Sequence, residues 1–280
     1  MSAENPEVGR FLDTGPVRTN YHDVGAGEPV LLLHGSGPGV SAWANWRLTM
    51  SDLAPHFRLL APDLAGFGYT EVPPGTAFSR RTWLDQIVAF LDQAKVDKVS
   101  VIGNSFGGSM ALALAITHPD RVDRLVLMGS VGVPFPLTAG LDAVWGYQPS
   151  LENMRAIMRI FAYDQELVGD QLVRLRYEAS RRPGVHEAYA SMFPAPRQRW
   201  VEAMSHPEAD IRAVPHPTLL VHGRDDAVIP LSSSLTLLEW IDDSRLHVFG
   251  RCGHWTQIEH ATAFAHQVQT FLTEHRPTSP

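Results

Sequence analysis

At 280 residues, 44% of them hydrophobic and 19% charged, the chain can bury a substantial core; its composition excludes a repeat or low-complexity protein and leaves disorder only to the ends. A formal charge of −7 without clustered Lys and Arg argues against a nucleic-acid partner, although a local cationic pocket is compatible with it. No apolar run nears the ~20 residues that cross a bilayer, residues 1–11 lack the basic start and apolar run of a signal peptide, and the single Cys252 cannot form an internal disulfide, so a soluble cytoplasmic protein with no membrane partner is expected.

Residues 30–33 form a continuous apolar run stopped by His34-Gly35, and residues 57–61 form another stopped by Pro62-Asp63; both predict buried strands. Residues 83–93 carry apolar side chains at helical spacing. A third strand is predicted over 99–102, broken by Gly103-Asn104-Ser105-Phe106-Gly107-Gly108 and followed by an alanine- and leucine-rich helix over 109–117. Short apolar runs at 125–128, 218–221 and 246–249 predict further strands, and 261–272 predicts a last helix. Strands alternating with helices imply an α/β fold with a mainly parallel central sheet flanked by helices. Between 133 and 212 the pattern changes: Met154, Ile157, Phe161, Leu167, Leu172 and Leu175 keep helical spacing and no strand is evident. The expected division is an α/β core over 1–134 and 213–280, with a helical lid inserted over 135–212.

The strand-turn-helix around Gly103-x-Ser105-x-Gly107 carries the chemistry. A serine hydroxyl is a weak nucleophile at neutral pH and needs a base, a group to orient that base, and donors for the developing oxyanion. Small flanking residues let a tight turn raise the Ser105 hydroxyl above the sheet, and the following helix places backbone N–H groups beside it. Among thirteen histidines, position singles out His254, which lies after the last strand and before the last helix, in the order Ser, Asp, His of an α/β-hydrolase; His247 and His260 fit less well. The acid belongs in the loop after residues 218–221, where spacing leaves both Asp225 and Asp226 open. After the first apolar strand, the loop His34-Gly35-Ser36-Gly37-Pro38-Gly39 can turn its backbone toward the nucleophile. The amide of Ser36 or Gly37 would then pair with that of Phe106 as an oxyanion hole.

A dinucleotide site is excluded because Val40 occupies the third glycine position of G-x-G-x-x-G and Pro38 removes a donor. No metal is expected: His-Glu-x-x-His is absent, and His206, His216 and His222 lack ligand spacing.

Residues 34–39, Ala42-Trp43-Ala44-Asn45-Trp46, residues 103–108, Arg176-Tyr177-Glu178-Ala179-Ser180, residues 192–200 and Cys252-Gly253-His254-Trp255 resemble the meta-cleavage product hydrolases over nearly the whole chain. The likeness is greatest to the 2-hydroxymuconic semialdehyde hydrolase branch. That resemblance implies hydrolysis of the carbon–carbon bond of a small-molecule 2-hydroxy-6-oxo-hexa-2,4-dienoate in aromatic catabolism, without a cofactor, by a homodimer or larger homo-oligomer. It also implies that the acid is Asp226 and that Asn45, Asn104, Arg176 and Trp255 bind substrate, with Trp200 as a pocket wall. Arg176 suits a carboxylate because its guanidinium donates two parallel N–H bonds; the competing role is a salt bridge with Glu178 or Asp170. The implied mechanism is ketonisation of the dienol, followed by attack of Ser105, or of water activated at the same site, on the C6 carbonyl. Phe135, Leu137, Met192 and Val228 are expected near the C6 substituent, which sequence leaves open among hydrogen, methyl and isopropyl. A carboxylesterase would share the same triad, and a ligand receptor would bind without turnover. The carboxylate nucleophile of haloalkane dehalogenases and epoxide hydrolases is missing.

Overall fold

In the computed structural model, which describes residues 5–274, the apolar runs pair into one eight-stranded sheet. Residues 1–4 and 275–280, where end disorder and part of the signal-peptide reading fall, lie outside the described residues. The strands are β1 (Arg10–Thr14), β2 (Val17–Val24), β3 (Pro29–Leu33), β4 (Arg58–Pro62), β5 (Val99–Asn104), β6 (Val122–Met128), β7 (Thr218–Gly223) and β8 (Ser244–Phe249). Their order across the sheet is β1-β2-β4-β3-β5-β6-β7-β8. All pairs from β4 to β8 are parallel, and only β1–β2 and β2–β4 are antiparallel. The sheet is therefore mostly parallel, as the alternating pattern implies.

The central strands are largely apolar because both of their faces are covered. Along β3, Leu31 and Leu33 join one core layer while Val30 and Leu32 join the other. The first layer packs under α2 (Arg80–Gln93) and α3 (Phe106–Thr117); the second packs under α1 (Ala42–Leu53). In α1 the Ser41 hydroxyl accepts the Ala44 amide as N-cap, and Trp46, Met50 and Leu53 form its buried stripe. Between β6 and β7 the described chain is helical without a strand. It runs through α4 (Ala139–Trp145), α5 (Leu151–Phe161), α6 (Asp170–Ser180), α7 (Val185–Met192), α8 (Gln198–Met204) and α9 (Glu208–Arg212), while α10 (Leu231–Trp240), α11 (Thr256–Glu259) and α12 (Ala261–Thr273) complete the fold.

Three departures from the sequence expectation have physical causes. The helix after the serine turn begins at Phe106, ahead of the predicted 109, and so takes in Gly107 and Gly108. Those glycines weaken the helical signal but are needed for close packing, since a Cβ on Gly108 would stand 2.0 Å from the Ser130 hydroxyl. Strand β2 escapes an apolar search because its buried residues include Thr19 and Asn20. They are paired internally: Thr19 Oγ1 with Thr14 Oγ1 at 2.8 Å, and Asn20 Nδ2 to Asp63 at 2.7 Å. Helix α10 opens with Ser232-Ser233-Ser234, a loop-like run, yet Ser233 and Ser234 are buried against the sheet.

Candidate active site

Ser105, Asp226 and His254 follow the carboxyl ends of β5, β7 and β8, the edge where parallel sheets place their binding crevice. Ser105 has φ 54° and ψ −115°, a conformation costly for a residue with a Cβ. Its surroundings hold it there: its amide donates to the Met128 carbonyl at 2.8 Å, and its carbonyl accepts from Gly108 at 3.0 Å and Val131 at 3.1 Å. The flanking glycines are required sterically. A Cβ on Gly103 would lie 2.5 Å from the Gly107 carbonyl oxygen, and one on Gly107 would lie 2.2 Å from that of Leu33.

The geometry separates the two aspartates. Asp226 Oδ2 lies 2.7 Å from His254 Nδ1, while its Oδ1 accepts the amides of Val228 (2.7 Å) and Ile229 (3.0 Å). Asp225 instead faces Arg224, at 3.3 Å. Burial pushes the Asp226 carboxyl up. The charge and hydrogen bond of His254, with His222 and the Ile229 amide, outweigh burial and hold it below its ordinary value. Asp226 thus stays ionised and fixes the His254 proton on Nδ1, leaving Nε2 as the basic nitrogen. Neither His247 nor His260 has this arrangement; both rings pack on Phe249. The His254 loop is clamped by the end of α5: its amide donates to the Phe161 carbonyl at 2.7 Å, and the Phe161 ring stacks 5.7 Å from the imidazole. Glu259 adds a bracket, accepting the Gly253 amide at 2.7 Å on one oxygen and those of Tyr163 and Asp164, each at 2.8 Å, on the other.

The glycine loop is anchored by His34. Its Nε2 accepts the Leu64 amide at 2.9 Å, so the proton sits on Nδ1 and bonds the Gly35 carbonyl at 2.8 Å. Burial lowers its pKa to about 4, against the Gly35 bond, and keeps the ring neutral. Ser36 is held from the helical insertion: Trp145 Nε1 donates to its hydroxyl at 3.0 Å and the Tyr189 hydroxyl to its carbonyl at 2.9 Å. Phe106, the first residue of α3, has no helical acceptor for its amide. Gly37 lies in the cavity wall, but a Cβ there would meet nothing nearer than 3.9 Å.

Ser105 and His254 open on a cavity of about 530 Å³, which also exposes Ser36, Gly37, Asn45, Asn104, Arg176 and Trp255 in its wall. Asn104 Nδ2 reaches the Met128 carbonyl at 3.4 Å, and Trp255 stacks on Phe161 at 5.3 Å. Two expectations need correction. Trp200 does not line the cavity, because its indole donates to the Pro194 carbonyl at 2.7 Å and packs beside Phe193. Of the residues expected around the C6 substituent only Val228 reaches the cavity; Phe135 and Met192 are buried in the core, and Leu137 packs against it. The apolar wall is made instead by Leu141, Val144, Met154, Ile157, Met158 and Leu172.

Arg176 is half-buried, and its competing partner is neither Glu178 nor Asp170, which pair with Arg181 and Arg155. It is Glu7, whose carboxylate accepts from Arg176 Nη2 and, at 2.8 Å, from the Ser41 hydroxyl. Arg176 also donates to the Gly39 carbonyl at 3.3 Å and retains further N–H groups. Arg47 lines the same end of the cavity and bonds the Ala44 carbonyl at 2.9 Å. Burial first, then the charge of Arg176, pulls its pKa down, with Glu7 opposing. Two arginines against one glutamate leave this end one positive charge in excess, which suits an anionic ligand. Sequence reasoning missed Glu7, Arg47 and Gln257, a further wall residue. The Trp43-Ala44-Asn45-Trp46-Arg47 run held a usable signal for Arg47, whereas Glu7 gave none. Among the described residues no group of three or more His, Cys, Asp or Glu side chains is arranged to hold a metal.

Comparison with known proteins identifies the family. A family model described as alpha/beta hydrolase fold matches residues 28–261. The chain is 58% identical, over 96% of its length and 95% of the relative's, to a 2-hydroxymuconate semialdehyde hydrolase of Pseudomonas sp. strain CF600. It is 57% identical, over 97% of its length and 99% of the relative's, to a 2-hydroxy-6-oxo-2,4-heptadienoate hydrolase of Pseudomonas putida strain F1. A solved meta-cleavage product hydrolase from Pseudomonas fluorescens IP01, a serine-to-alanine mutant complexed with acetates, superposes with a TM-score of 0.94 at 54% identity, covering 96% of this chain and 98% of that one.

Proposed function

The chain belongs to the α/β-hydrolase family and, within it, to the meta-cleavage product hydrolases, and from that premise we propose how its own residues carry the reaction. It is a carbon–carbon bond hydrolase of 2-hydroxy-6-oxo-hexa-2,4-dienoates, 2-hydroxymuconic semialdehyde or a small 6-alkyl analogue, forming 2-hydroxypenta-2,4-dienoate and a small carboxylic acid. The observation that carries the residue assignment is that one cavity joins the Ser105–His254–Asp226 corner to a cationic end formed by Arg47 and Arg176.

In this reading the substrate carboxylate lies against Arg176, which Glu7 orients, with Arg47 balancing the charge of Glu7. Asn45 and Asn104 donate to substrate oxygens and Trp255 packs beside the conjugated chain. The 2-hydroxyl loses its proton as C5 gains one, giving a 2-oxo-3-ene whose C5–C6 bond can break with its electrons drawn toward the C2 oxygen. Ser105, deprotonated by His254, attacks C6, and the oxyanion is held by the amides of Ser36 and Phe106, with Gly37 shaping the loop. Breaking C5–C6 re-forms a dienol as its C2 oxygen takes up a proton. Water then cleaves the acyl-serine to release the acid. The insertion over 135–212 acts as the lid that excludes bulk water.

The chain is further proposed to work in the cytoplasm as a homo-oligomer without cofactor. Support for the compartment is its lone cysteine, buried and unpaired; among the described residues no helix is long and apolar enough to cross a membrane. The test is a spectrophotometric series of dienoates carrying hydrogen, methyl, isopropyl or phenyl at C6, beside a p-nitrophenyl ester. Rapid loss of dienolate colour with release of hydroxypentadienoate is expected. Brisk ester turnover with every dienoate inert would move the chain to the carboxylesterases.

A further inference from the structure

A second histidine stands beside the acid, and the reaction as described does not use it. His222, in β7, shares its side of the sheet with Leu220 and is fully buried. Both ring nitrogens are bonded: Nε2 to the Ile229 carbonyl at 3.0 Å and Nδ1 to the Ser234 hydroxyl at 2.7 Å. Nε2 also lies 3.5 Å from Asp226 Oδ2, the oxygen that holds His254. Two acceptors before Nε2 place the proton there, so Nδ1 accepts and the Ser234 hydroxyl donates. Burial pulls the His222 pKa down, against the Asp226 charge and the Ile229 bond and with His254 adding to the fall, which keeps the ring neutral. An imidazole costs more to bury than a leucine at the same place, so its bonds and not its bulk set it apart.

These bonds run toward the acid. Ser234 fixes the ring, the ring fixes the Ile229 carbonyl, and the amides of Val228 and Ile229 hold Asp226 Oδ1 at 2.7 and 3.0 Å. Oδ2 is thereby left facing His254 Nδ1 at 2.7 Å. Because the His222 N–H is committed to Ile229, it does not compete with His254 for that oxygen. Resting on the Ser105–His254–Asp226 assignment above, we propose that His222 is a positioning residue for the reaction: through Ile229 it holds the loop after β7 so that Asp226 keeps His254 aligned on Ser105. Without that hold Asp226 turns, and His254 loses part of the counter-charge that favours its imidazolium form as Ser105 gives up its proton. The barrier rises while the cationic end of the cavity is untouched, so the effect falls on kcat and not on KM. Ser234, buried in the loop-like run that opens α10, has its use here as the donor that sets the ring.

Variants at His222 and Ser234 separate this role from packing. His222→Met removes the N–H at similar bulk, His222→Gln returns a donor close to the place of Nε2, and Ser234→Ala frees the ring without removing it. His222→Met should lower kcat about tenfold, the weight of one buried hydrogen bond, with KM kept within about twofold. The acid limb of its kcat/KM profile should move about half a unit to lower pH, because an imidazolium short of its counter-charge sheds its proton more readily. The titratable groups acting on His222 are Asp226 and His254, and both stay in place in these variants. His222→Gln should recover kcat to within about threefold of the natural chain, and Ser234→Ala should move kcat and the acid limb less far in the same direction. Since Ser234→Ala keeps the ring, it decides the matter even if His222→Met does not fold. A lowered melting temperature with kcat and acid limb unmoved, an acid limb displaced upward, or a His222→Gln no better than His222→Met would overturn the proposal. Esters and dienoates share the triad, so both are assayed. Ester turnover that responds to His222 while every dienoate is inert would remove the substrate reading alone, and full activity in Ser105→Ala would remove the triad assignment, each a separate result.

Discussion

The two ends of the cavity are built on opposite terms. At the reacting corner, polar groups meet protein partners: Asp226 bonds His254 and two amides, His34 uses both ring nitrogens, and Ser36 is held by Trp145 and Tyr189. At the holding end, two arginines share one glutamate, and Asn45 Nδ2 and Gln257 Oε1 have no partner among the described residues. The first end is set in advance, as stabilising a brief charge requires, because donors already aimed need no reorganisation. The second carries one positive charge in excess, which favours an anionic molecule over a neutral one.

The sharpest way to break this contrast is at Ser105. Ser105→Ala should lower cleavage by about 10⁴-fold or more with the melting temperature kept or raised, since a strained residue loses only its hydroxyl. Product formation at the original rate in a single-turnover assay would remove the corner from the mechanism. At the other end, Arg176→Met should raise KM for the dienoate by about 100-fold and, by leaving Glu7 buried without its cation, destabilise the fold by about 3 kcal/mol. Urea unfolding read beside kinetics separates the two effects, and an unchanged KM would free Arg176 from the substrate.

A smaller effect sharpens the contrast through pH. His34 has a folded pKa of about 4 against an ordinary 6.5, so its contribution is complete above about 6.5 and is lost as pH falls toward 4. The loss amounts to about 3 kcal/mol. Denaturation midpoints at neutral and acid pH should diverge in the natural chain and less so in His34→Gln; parallel curves would detach the ring from acid stability. The least effect is expected from Trp200→Phe, which should change kcat and KM by no more than about twofold, because Trp200 is not among the residues that line the cavity. A tenfold rise in KM would return Trp200 to the wall.

The corner was legible in sequence because strand, turn and helix all constrain the same few residues around Ser105, and chain order then selects His254. The choice between Asp225 and Asp226 needed either family resemblance or the fold, since adjacent loop residues differ only in which way they face. Strand β2 was hidden because its inner positions are polar and bond to Thr14, Gln86 and Asp63, residues distant in sequence or on other elements. Glu7 was illegible for a similar reason: its partner Arg176 is 169 residues away, and no local pattern announces such a pair. The lining residues failed as a group because periodicity says which face of an insertion helix is apolar but not whether that face meets the core or the cavity.

The Glu259 bracket bears on how a substrate gets in. One carboxylate gathers the amides of Gly253, Tyr163 and Asp164, so the loop carrying the base and the end of α5 are mechanically one piece. Any swing of that part of the insertion would drag His254 with it and undo its pairing with Asp226. A doorway on this side would disarm the enzyme each time it opened, so the bracket keeps the base ready by holding this side shut.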